Sequence, residues 1–491
     1  MNHQRTATIA LLADPHYGVQ LPIAERRGEI ADILLKRAVS RLNRLIRPDA
    51  TLVLGDVLDN GAATDARERL TSMRDILDRL DAPYIAIPGN HDSDPEAFYR
   101  VFTRPELFED INGIRFVPFV DPEEPGFNAR RTKADIDRFR AARAGYEGPI
   151  VALQHTCLFP PGSTEAPYNY TNAPEIIATM KEENVMLSVS GHYHRGAETV
   201  RDGDVTFVHA PALCETPFPF LVVTLREGMV TVERHELAMP SALGLFDGHV
   251  HTHLAYCNDN MTVEQAIDLA GAFGLSGVAF TEHSGHLYFD RERYWSGSWF
   301  EEGIRAARPA DSRMANYLAM KQANENERVR FGLEADCDRQ GNPVLACVDR
   351  TRFDYRIGAI HHFPPLGTKT PPDRTANDTF LGLVEKMLAS GIDVLAHPFR
   401  IYRRNGWAAP HELFRPTAEL LRKYQVAAEI NFHTNEPPVE FVRTCLELGV
   451  KFSFGSDAHA LYEIGDFAYQ MALLKEAGFD GDPADVVITR P

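Results

Sequence analysis

The sequence has few cysteines and no excess of positive charge. None of its six cysteines forms a C-x-x-C pair. In a chain of 491 residues this pattern is typical of reduced, mostly buried thiols in a cytosolic protein. Lys and Arg number 51 against 69 Asp and Glu, which gives a formal net charge of −18. This balance disfavours nucleic-acid binding, which needs a basic surface. It does not exclude a small phosphorylated substrate, because metal ions can supply positive charge locally.

Long apolar runs are also missing. No run approaches the roughly 20 apolar residues of a membrane span. The first apolar run is short and leads straight into Asp14 and His16, unlike a signal peptide. We therefore expect a cytoplasmic protein that does not contact a membrane. The length predicts two or three domains, and the sequence leaves the oligomeric state open.

Nineteen histidines are the most informative feature of the composition. In the first half, they follow apolar runs in segments such as TIALLADPH, YIAIPGNHD, PIVALQHT and VMLSVSGHYH. These runs predict buried strands of an α/β protein whose carboxyl ends carry the functional residues. Apolar residues at helical spacing predict helices over residues 25–45 and 66–80. The segments FLVVTL and MVTVERHEL predict two strands around a turn.

A short segment with Pro and Gly, residues 238–244 (AMPSALG), is typical of a linker. After it, LFDGHVHTH restarts the pattern of an apolar residue followed by potential ligands. Helix-like and strand-like stretches then alternate to the end, including a predicted helix over residues 311–328. Repeated βα units predict a barrel with its site at the carboxyl ends of the strands. We therefore predict two domains, residues 1–238 and 245–491.

Five motifs occur in order in the first half: ADPH, GDVLD, GNHD, QHT and GHYH. In this order they resemble the calcineurin-like metallophosphoesterases. The resemblance implies a four-layer αββα sandwich that holds two divalent ions. Mixed nitrogen and oxygen ligands suit Mn, Fe or Zn better than Ca. Two such ions about 3.5–4 Å apart can stabilise the attacking and leaving oxygens of an in-line displacement at phosphorus.

The resemblance also implies roles for individual residues. Asp56 is expected to bridge the two ions. His91 is expected to protonate the leaving group, with Asp92 orienting it, and Asp59 to contact a ligand. The remaining ligands, three for each ion, are Asp14, His16 and His194, and Asn90, His155 and His192. A purely structural role for the whole set is disfavoured, because so many unpaired buried polar groups would be costly.

In the second half, DGHVHTH places His249 and His251 on one face of a strand, where both can face one ion. The motifs TEHS, GLEAD, GAIHH, LAHP and GSDAH follow in order. This order resembles the PHP (polymerase and histidinol phosphatase) family. The resemblance implies a distorted (β/α)7 barrel that holds two or three ions of Zn, Fe or Mn.

By the same resemblance Glu334 bridges two ions. His361 matches the family histidine better than its neighbour His362. The implied ligands are His249, His251, Glu334 and Asp457 for one ion, His283 and His459 for the second, and Glu334, His361 and His397 for the third.

One position departs from the PHP pattern. Family members place a histidine or an aspartate five or six residues after the second histidine of H-x-H. This chain has Cys257 there, with Asp259 close behind. A thiolate is a good Zn or Fe ligand, so Cys257 could complete the second site. Asp259 could do so after a small loop shift, or Cys257 could simply pack as a small apolar residue.

The segment FRIYRRNGW follows His397 and carries Arg400, Arg403 and Arg404. Guanidinium groups match phosphate oxygens, so these arginines are candidates for substrate binding. For Arg403 and Arg404, the alternative is a charged loop in solvent.

Both resemblances imply hydrolysis of phosphate esters. We expect a bifunctional phosphohydrolase that acts on small phosphate esters or nucleotides and releases inorganic phosphate. The first domain could open a diester and the second could cleave the resulting monoester. A nuclease and a protein phosphatase that use the same clusters are alternatives, and the acidic balance disfavours the nuclease. Substrate choice is expected to reside in residues 105–132, 159–171 and 284–310.

Overall fold

The structure is a computed structural model that describes residues 6–18, 26–226, 228–259, 261–367 and 371–489. The chain divides into two compact units, residues 1–237 and 238–491. In the segment predicted as a linker, Ser241–Leu243 forms one turn of 3-10 helix. Among the described residues, we find no helix that combines the length and the hydropathy of a membrane span.

Two mixed sheets form the centre of the first unit. Its strands are β1 (Ala7–Leu12), β2 (Ala50–Val53), β3 (Tyr84–Ala86), β4 (Glu109–Ile111), β5 (Ile114–Pro118), β6 (Glu123–Glu124), β7 (Asn128–Ala129), β8 (Ile150–Leu153), β9 (Leu187–Ser190), β10 (Ala197–Asp202), β11 (Val205–His209), β12 (Pro219–Arg226) and β13 (Met229–Glu236). One sheet has the order β13-β12-β1-β2-β3, and the other has the order β10-β11-β9-β8-β5-β4. Strands β6 and β7 pair separately as a hairpin.

Helices cover the outer faces of this pair of sheets. They are α1 (Ala31–Arg41), α2 (Ala66–Leu77), α3 (Pro95–Phe98), α4 (Lys133–Arg143) and α5 (Ala173–Glu182). Between the sheets, Leu11 and Leu52 pack with Phe116 and Val151 in one buried cluster. On the outer face of the second sheet, side chains of α4 and α5 pack in another, including Phe139. Helices α1 and α2 connect the parallel strands β1, β2 and β3, so they cover the remaining face. The expected αββα sandwich is confirmed.

The predicted helices differ from the observed ones at their ends. Helix α1 begins at Ala31, after a 3-10 turn over Gly28–Ile30, and not at residue 25. It ends at Arg41, where a π-helical turn over Leu42–Ile46 follows. Apolar spacing continues through these turns, so periodicity alone does not mark where the regular helix stops.

The second unit contains a nearly closed parallel barrel. Its strands are β14 (Phe246–Val250), β15 (Gly277–His283), β16 (Val329–Asp336), β17 (Arg356–Ala359), β18 (Val394–Leu395), β19 (Ala427–Asn431) and β20 (Phe452–Gly455). They pair in chain order, all parallel. An isolated parallel bridge between Val250 and Ala458 brings the last strand back to the first. The expected (β/α)7 barrel is confirmed, and its parallel strands place all their carboxyl ends at one edge.

Helices connect the barrel strands. They are α6 (Val263–Ala272), α7 (Ser284–Tyr288), α8 (Arg291–Trp295), α9 (Ser298–Glu302), α10 (Met314–Asn324), α11 (Cys347–Arg350), α12 (Arg374–Ala389), α13 (Arg400–Arg404), α14 (Phe414–Tyr424), α15 (Val439–Leu448) and α16 (Ala468–Glu476). Helices α7, α8 and α9 lie within residues 284–310, where the sequence predicted no helix or strand. Trp299 and Phe300 are buried there and fix the segment by packing.

A buried ion pair holds the carboxyl end of β8. The side chains of Arg131 and Asp121 are 0% and 2% exposed, and their closest approach is 2.8 Å. The Tyr170 hydroxyl also donates to Asp121, at 2.7 Å. Arg131 Nη2 donates to Gln154, the residue before the predicted ligand His155, and the guanidinium lies 3.5 Å over the Phe119 ring. This network therefore fixes a strand end that carries a candidate ligand.

We expect Arg131→Met to destabilise the first unit by about 3–5 kcal/mol, because it leaves the Asp121 carboxylate buried without its cation. Guanidinium denaturation followed by circular dichroism would measure the loss, and hydrogen exchange of residues 150–153 would locate it. The matched control is Arg104→Met, which breaks the exposed pair with Glu96 and should cost less than about 1 kcal/mol. Equal losses in the two variants would contradict this account.

Candidate metal centres

Six predicted ligands have a left-handed backbone. These are Asp14 (φ 52°), His16 (48°), Asp56 (50°), His192 (69°), His397 (28°) and Asp457 (52°). Few non-glycine residues adopt this conformation, and it costs free energy that the surrounding structure must offset. All six lie in the turns that follow the buried strands β1, β2, β9, β18 and β20. The turns aim ligand-type side chains at the carboxyl end of each sheet.

Asp56 lies between the two groups of predicted ligands in the first unit. Its Oδ2 is 3.6 Å from His16 Nε2 and 3.4 Å from His155 Nε2. Its Oδ1 accepts a hydrogen bond from the backbone N–H of His91, at 2.8 Å. The carboxylate is buried and faces one imidazole from each group, which is the position that a bridging ligand needs.

In the first group, two imidazole nitrogens face each other. His16 Nε2 and His194 Nε2 are 3.0 Å apart, and Asp14 Oδ1 is 3.7 Å from the latter. The outer nitrogen of His194 lies 2.6 Å from Glu215 Oε1, and that of His16 lies 3.3 Å from Asp59 Oδ1. A carboxylate only accepts, so the neutral His194 ring carries its proton on Nδ1, whereas the contact of His16 with Asp59 lacks hydrogen-bond geometry. The inner lone pair of His194 and the Asp14 carboxylate then converge beside His16 Nε2, an arrangement that fits a cation.

In the second group, backbone carbonyls take the place of the carboxylates as acceptors for the outer ring nitrogens. His155 Nδ1 is 2.8 Å from the Leu54 carbonyl, and His192 Nε2 is 3.0 Å from the Phe127 carbonyl. Both outer nitrogens must therefore donate. The inner nitrogens, His155 Nε2 and His192 Nδ1, are 3.1 Å apart, and Asn90 Oδ1 is 3.0 Å from the former. Three acceptors thus face one point, which fits a second cation beside Asp56.

The carboxylates attract positive charge to this place. Burial lowers the pKa of His155, but the Asp56 carboxylate outweighs it and raises that pKa to about 10. A divalent ion would satisfy the same field while it leaves the nitrogen deprotonated.

His91 and Asp92 differ from expectation in their contacts. The ring of His91 is held by the Asp59 carbonyl, 2.9 Å from Nδ1. It lines a cavity of about 440 Å³ together with Asp56 and several predicted ligands. The Asp92 carboxylate accepts from the backbone N–H groups of Val57, Leu58 and Gly89 instead of from the His91 ring. Asp92 therefore orders two strand-end turns, and the Asp59 carbonyl orients His91. Burial, together with Asp56, raises the pKa of Asp92 to about 7.

Glu334 lies at the centre of the second cluster and is fully buried. Its two oxygens lie within 4 Å of five histidine side chains. Oε1 faces His397 at 2.8 Å and His361 at 3.2 Å, and Oε2 faces His283 at 2.5 Å, His249 at 3.6 Å and His251 at 3.8 Å. One carboxylate therefore joins ligand sets predicted for different ions.

Two carboxylates that the sequence analysis did not select hold rings of this cluster. Glu429 Oε1 is 2.6 Å from His249 Nδ1, and its Oε2 accepts from the backbone N–H of His397, at 2.8 Å. Asp336 Oδ1 is 2.8 Å from His361 Nδ1. As in the first unit, the outer nitrogens donate and the inner ones keep their lone pairs.

A signal for both residues exists in the sequence. Glu429 is the single charge in the apolar strand AAEINF, which predicts a buried carboxylate with a partner. Asp336 follows Glu334 by two residues on the same strand, so both side chains lie on one face. Glu215, the partner of His194, carries no comparable signal, because it lies in an irregular segment.

Of the three candidate arginines, Arg400 is the one that contacts the cluster. It is buried, and its Nη1 donates to Asp457 Oδ2 at 2.6 Å. Its Nη2 lies 3.3 Å from His361 Nε2, so the guanidinium supplies positive charge at that corner. Arg403 pairs with Glu436, half exposed, and Arg404 is exposed in solvent. The alternative of charges in solvent fits these two better, although they lie in helix α13 and not in a loop.

The structure brings Cys257 to the cluster. Its Sγ is 3.8 Å from His283 Nε2, and the ligand atoms of Cys257, His283 and His286 lie within 4.8 Å of one another. His251, His283 and His459 form a similar group. His286 is not one of the ligands that the sequence predicted. Asp259 is exposed, and its backbone N–H donates to the His459 carbonyl.

The two adjacent histidines of GAIHH contact different parts of the second unit. His361 is the one that contacts Glu334 and Asp336. His362 is exposed, and its ring packs against Phe300 with centroids 4.8 Å apart.

Known proteins resemble the chain in two parts. The family model "Calcineurin-like phosphoesterase" matches residues 7–196, and the family model "PHP domain" matches residues 247–433. A probable histidinol-phosphatase of Deinococcus radiodurans is 27% identical over 263 residues, 48% of this chain and 94% of that protein. A probable cyclic nucleotide phosphodiesterase of Synechococcus sp. is 28% identical over 216 residues, 42% of this chain and 80% of that protein.

Among solved structures, a dimetal phosphatase from Danio rerio has a TM-score of 0.40 and 16% identity, over 47% of this chain and 96% of its own. The two family matches follow each other without overlap and fall one in each compact unit. The chain is a fusion of a calcineurin-like phosphoesterase domain with a PHP domain.

Proposed function

We propose that this phosphoesterase is bifunctional: the first centre cleaves phosphodiesters and the second cleaves small phosphomonoesters, with release of inorganic phosphate. The observation that carries the proposal is shared by both centres. Outer ring nitrogens donate to fixed acceptors, so inner lone pairs and carboxylates converge as two separate sets of cation ligands. Relatives named for a phosphodiesterase and for a phosphatase support the division of labour.

In the first centre, Asp56 would join two ions, Mn, Fe or Zn, held by the two ligand groups described above. When bound, such ions stabilise charge on a phosphoryl oxygen and lower the pKa of water. His91 acts on the leaving group. Because its Nδ1 keeps a proton for the Asp59 carbonyl, Nε2 is the nitrogen left to face a substrate. It delivers a proton to the leaving group from the imidazolium form, in which both ring nitrogens are protonated.

In the second centre, Glu334 would join two or three ions of Zn, Fe or Mn. The distance of 3.8 Å between Cys257 Sγ and His283 Nε2 supports Cys257 as a further ligand of the ion held by His283, in the role that a histidine or an aspartate takes in other PHP proteins. Arg400 orients the ligand Asp457 and directs a guanidinium edge towards the cluster, where it can bind a phosphate oxygen.

The division of labour predicts separable activities. Asp56→Asn should lower diester hydrolysis by about 10²-fold or more while monoester hydrolysis persists, because the variant loses the ligand shared by the first two ions. Glu334→Gln should have the converse effect. Steady-state assays of the purified full chain on diester and monoester panels would measure both, with Arg104→Met as a surface control. Equal loss of both activities from either variant would exclude the separation.

Metal content provides an independent check. Elemental analysis of the full chain should find about four or five ions, two in the first unit and two or three in the second. Asp56→Ala should remove about two of them, because both ions of the first centre share this ligand. Two or fewer ions in the unaltered chain would show that one cluster does not bind metal.

Glu429 should matter although it faces no predicted ion. We expect Glu429→Gln to weaken metal binding or monoester hydrolysis by about 10- to 100-fold, because the His249 ring and the His397 backbone lose a charged acceptor. Metal titration of monoester hydrolysis would show a higher metal concentration at half activity. The matched control is Glu385→Gln, which removes an exposed carboxylate paired with Lys423. If both variants behave like the unaltered chain, the inferred role of Glu429 is wrong.

A further inference from the structure

A second cavity opens beside the first centre. Its volume is about 420 Å³, and it shares Asn90, Phe127 and His192 with the cavity that contains His91. His91 itself is not among its lining residues. Because both cavities border the same ligands, a substrate bound at the centre can extend into each of them. A phosphodiester has two organic substituents on its phosphorus, so each cavity can hold one of them.

The lining of this second cavity is apolar and acidic. Apolar side chains come from Pro88, Pro95, Phe119, Val120 and Pro122, and carboxylates from Asp92, Asp94, Asp121 and Glu123. Among the described residues that line it, none is Lys or Arg. Arg131 neutralises Asp121 from behind, but the other carboxylates would repel an anionic substituent. The cavity therefore suits an uncharged group.

Phe127 forms the boundary between the two cavities. The residue is 55% exposed. It lies in the β6–β7 hairpin with a φ of 60°, a conformation that bulky residues rarely adopt. The Tyr168 ring packs edge-on against it with centroids 6.0 Å apart, and lies 4.8 Å from the His192 ring. The hairpin thus presents an aromatic face at the metal centre.

We propose that Phe127, supported by Tyr168, binds an uncharged aromatic or heteroaromatic ring on the retained substituent of a phosphodiester. This assignment rests on the proposed function of the first centre. His91, the proton donor to the leaving group, lines the other cavity, so the leaving group belongs there. The retained substituent then lies in the cavity that Phe127 borders, where rings can pack against its face or edge.

Two diesters with the same leaving group test this assignment in the metal-loaded full chain. Bis(4-nitrophenyl) phosphate and methyl 4-nitrophenyl phosphate both release 4-nitrophenolate, and they differ only in the retained group. We expect Phe127→Ala to lower the aryl-to-methyl ratio of kcat/KM by roughly 3- to 10-fold relative to the unaltered chain, mainly through KM. Phe127→Tyr should keep the ratio. Met229→Ala, which removes another exposed apolar side chain outside both cavities, should also keep it.

A charged probe provides a second arm that does not alter Phe127. An ester whose retained ring bears a carboxylate should be hydrolysed less efficiently than bis(4-nitrophenyl) phosphate. Glu123→Gln should reduce that discrimination, because it removes one negative charge from the lining. If Phe127→Ala also loses metal, this arm still tests whether the retained group lies in the cavity that Glu123 lines.

The outcomes separate the two levels of the proposal. The chain could hydrolyse both 4-nitrophenyl diesters with an aryl-to-methyl ratio that Phe127→Ala does not change. That result would overturn the ring site and leave the proposed diesterase activity unaffected. A discrimination against the charged ring that Glu123→Gln does not change would overturn the acidic lining as its cause. Hydrolysis of neither diester by the unaltered chain would instead refute the proposed function of the first centre.

Discussion

A neutral imidazole carries one proton, and the placement of that proton governs both centres. Where the outer nitrogen faces an acceptor that cannot donate, the proton is on the outer nitrogen. The inner nitrogen is then unprotonated and its lone pair is free to bind a cation. The Leu54 and Phe127 carbonyls impose this on two rings of the first unit. Glu429 and Asp336 impose it on two rings of the second. The acceptors behind the predicted ligands therefore decide which ring nitrogens are available to a metal ion.

The two units have different folds, but both position their predicted ligands with the same local structure. A short buried strand ends, and the next residues turn through a left-handed conformation that directs a carboxylate or imidazole towards the centre, as at Asp56 and Asp457. Neighbouring strands fix this strand in the sheet, so the predicted ligand that follows it is also held in a defined position. The buried pair of Arg131 and Asp121 adds to that precision at one strand end.

Both folds and the groups of ligand-type residues could be predicted because the relevant signals are local. A motif such as GNHD or GSDAH lies directly after the apolar run that positions it. Which ring each acceptor contacts could not be predicted this way, because Glu429 is 180 residues from its partner His249. The position of Asp92 illustrates the same limit: adjacency to His91 suggested a contact between their side chains, but three backbone N–H groups offered better partners. The short helices after His283 were missed because packing of Trp299 and Phe300, and not periodicity, forms them.

The Phe127 hairpin joins two parts of the first centre in a single residue. The residue lines the cavity, and its carbonyl accepts the proton of His192. A group that displaced this residue would therefore also displace the acceptor that fixes the tautomer of His192. Such a group would change the affinity of His192 for a metal ion, and a bound ion would change the affinity for that group by the same factor. The left-handed φ of Phe127 thus fixes both the position of its side chain at the cavity and the acceptor behind a predicted ligand.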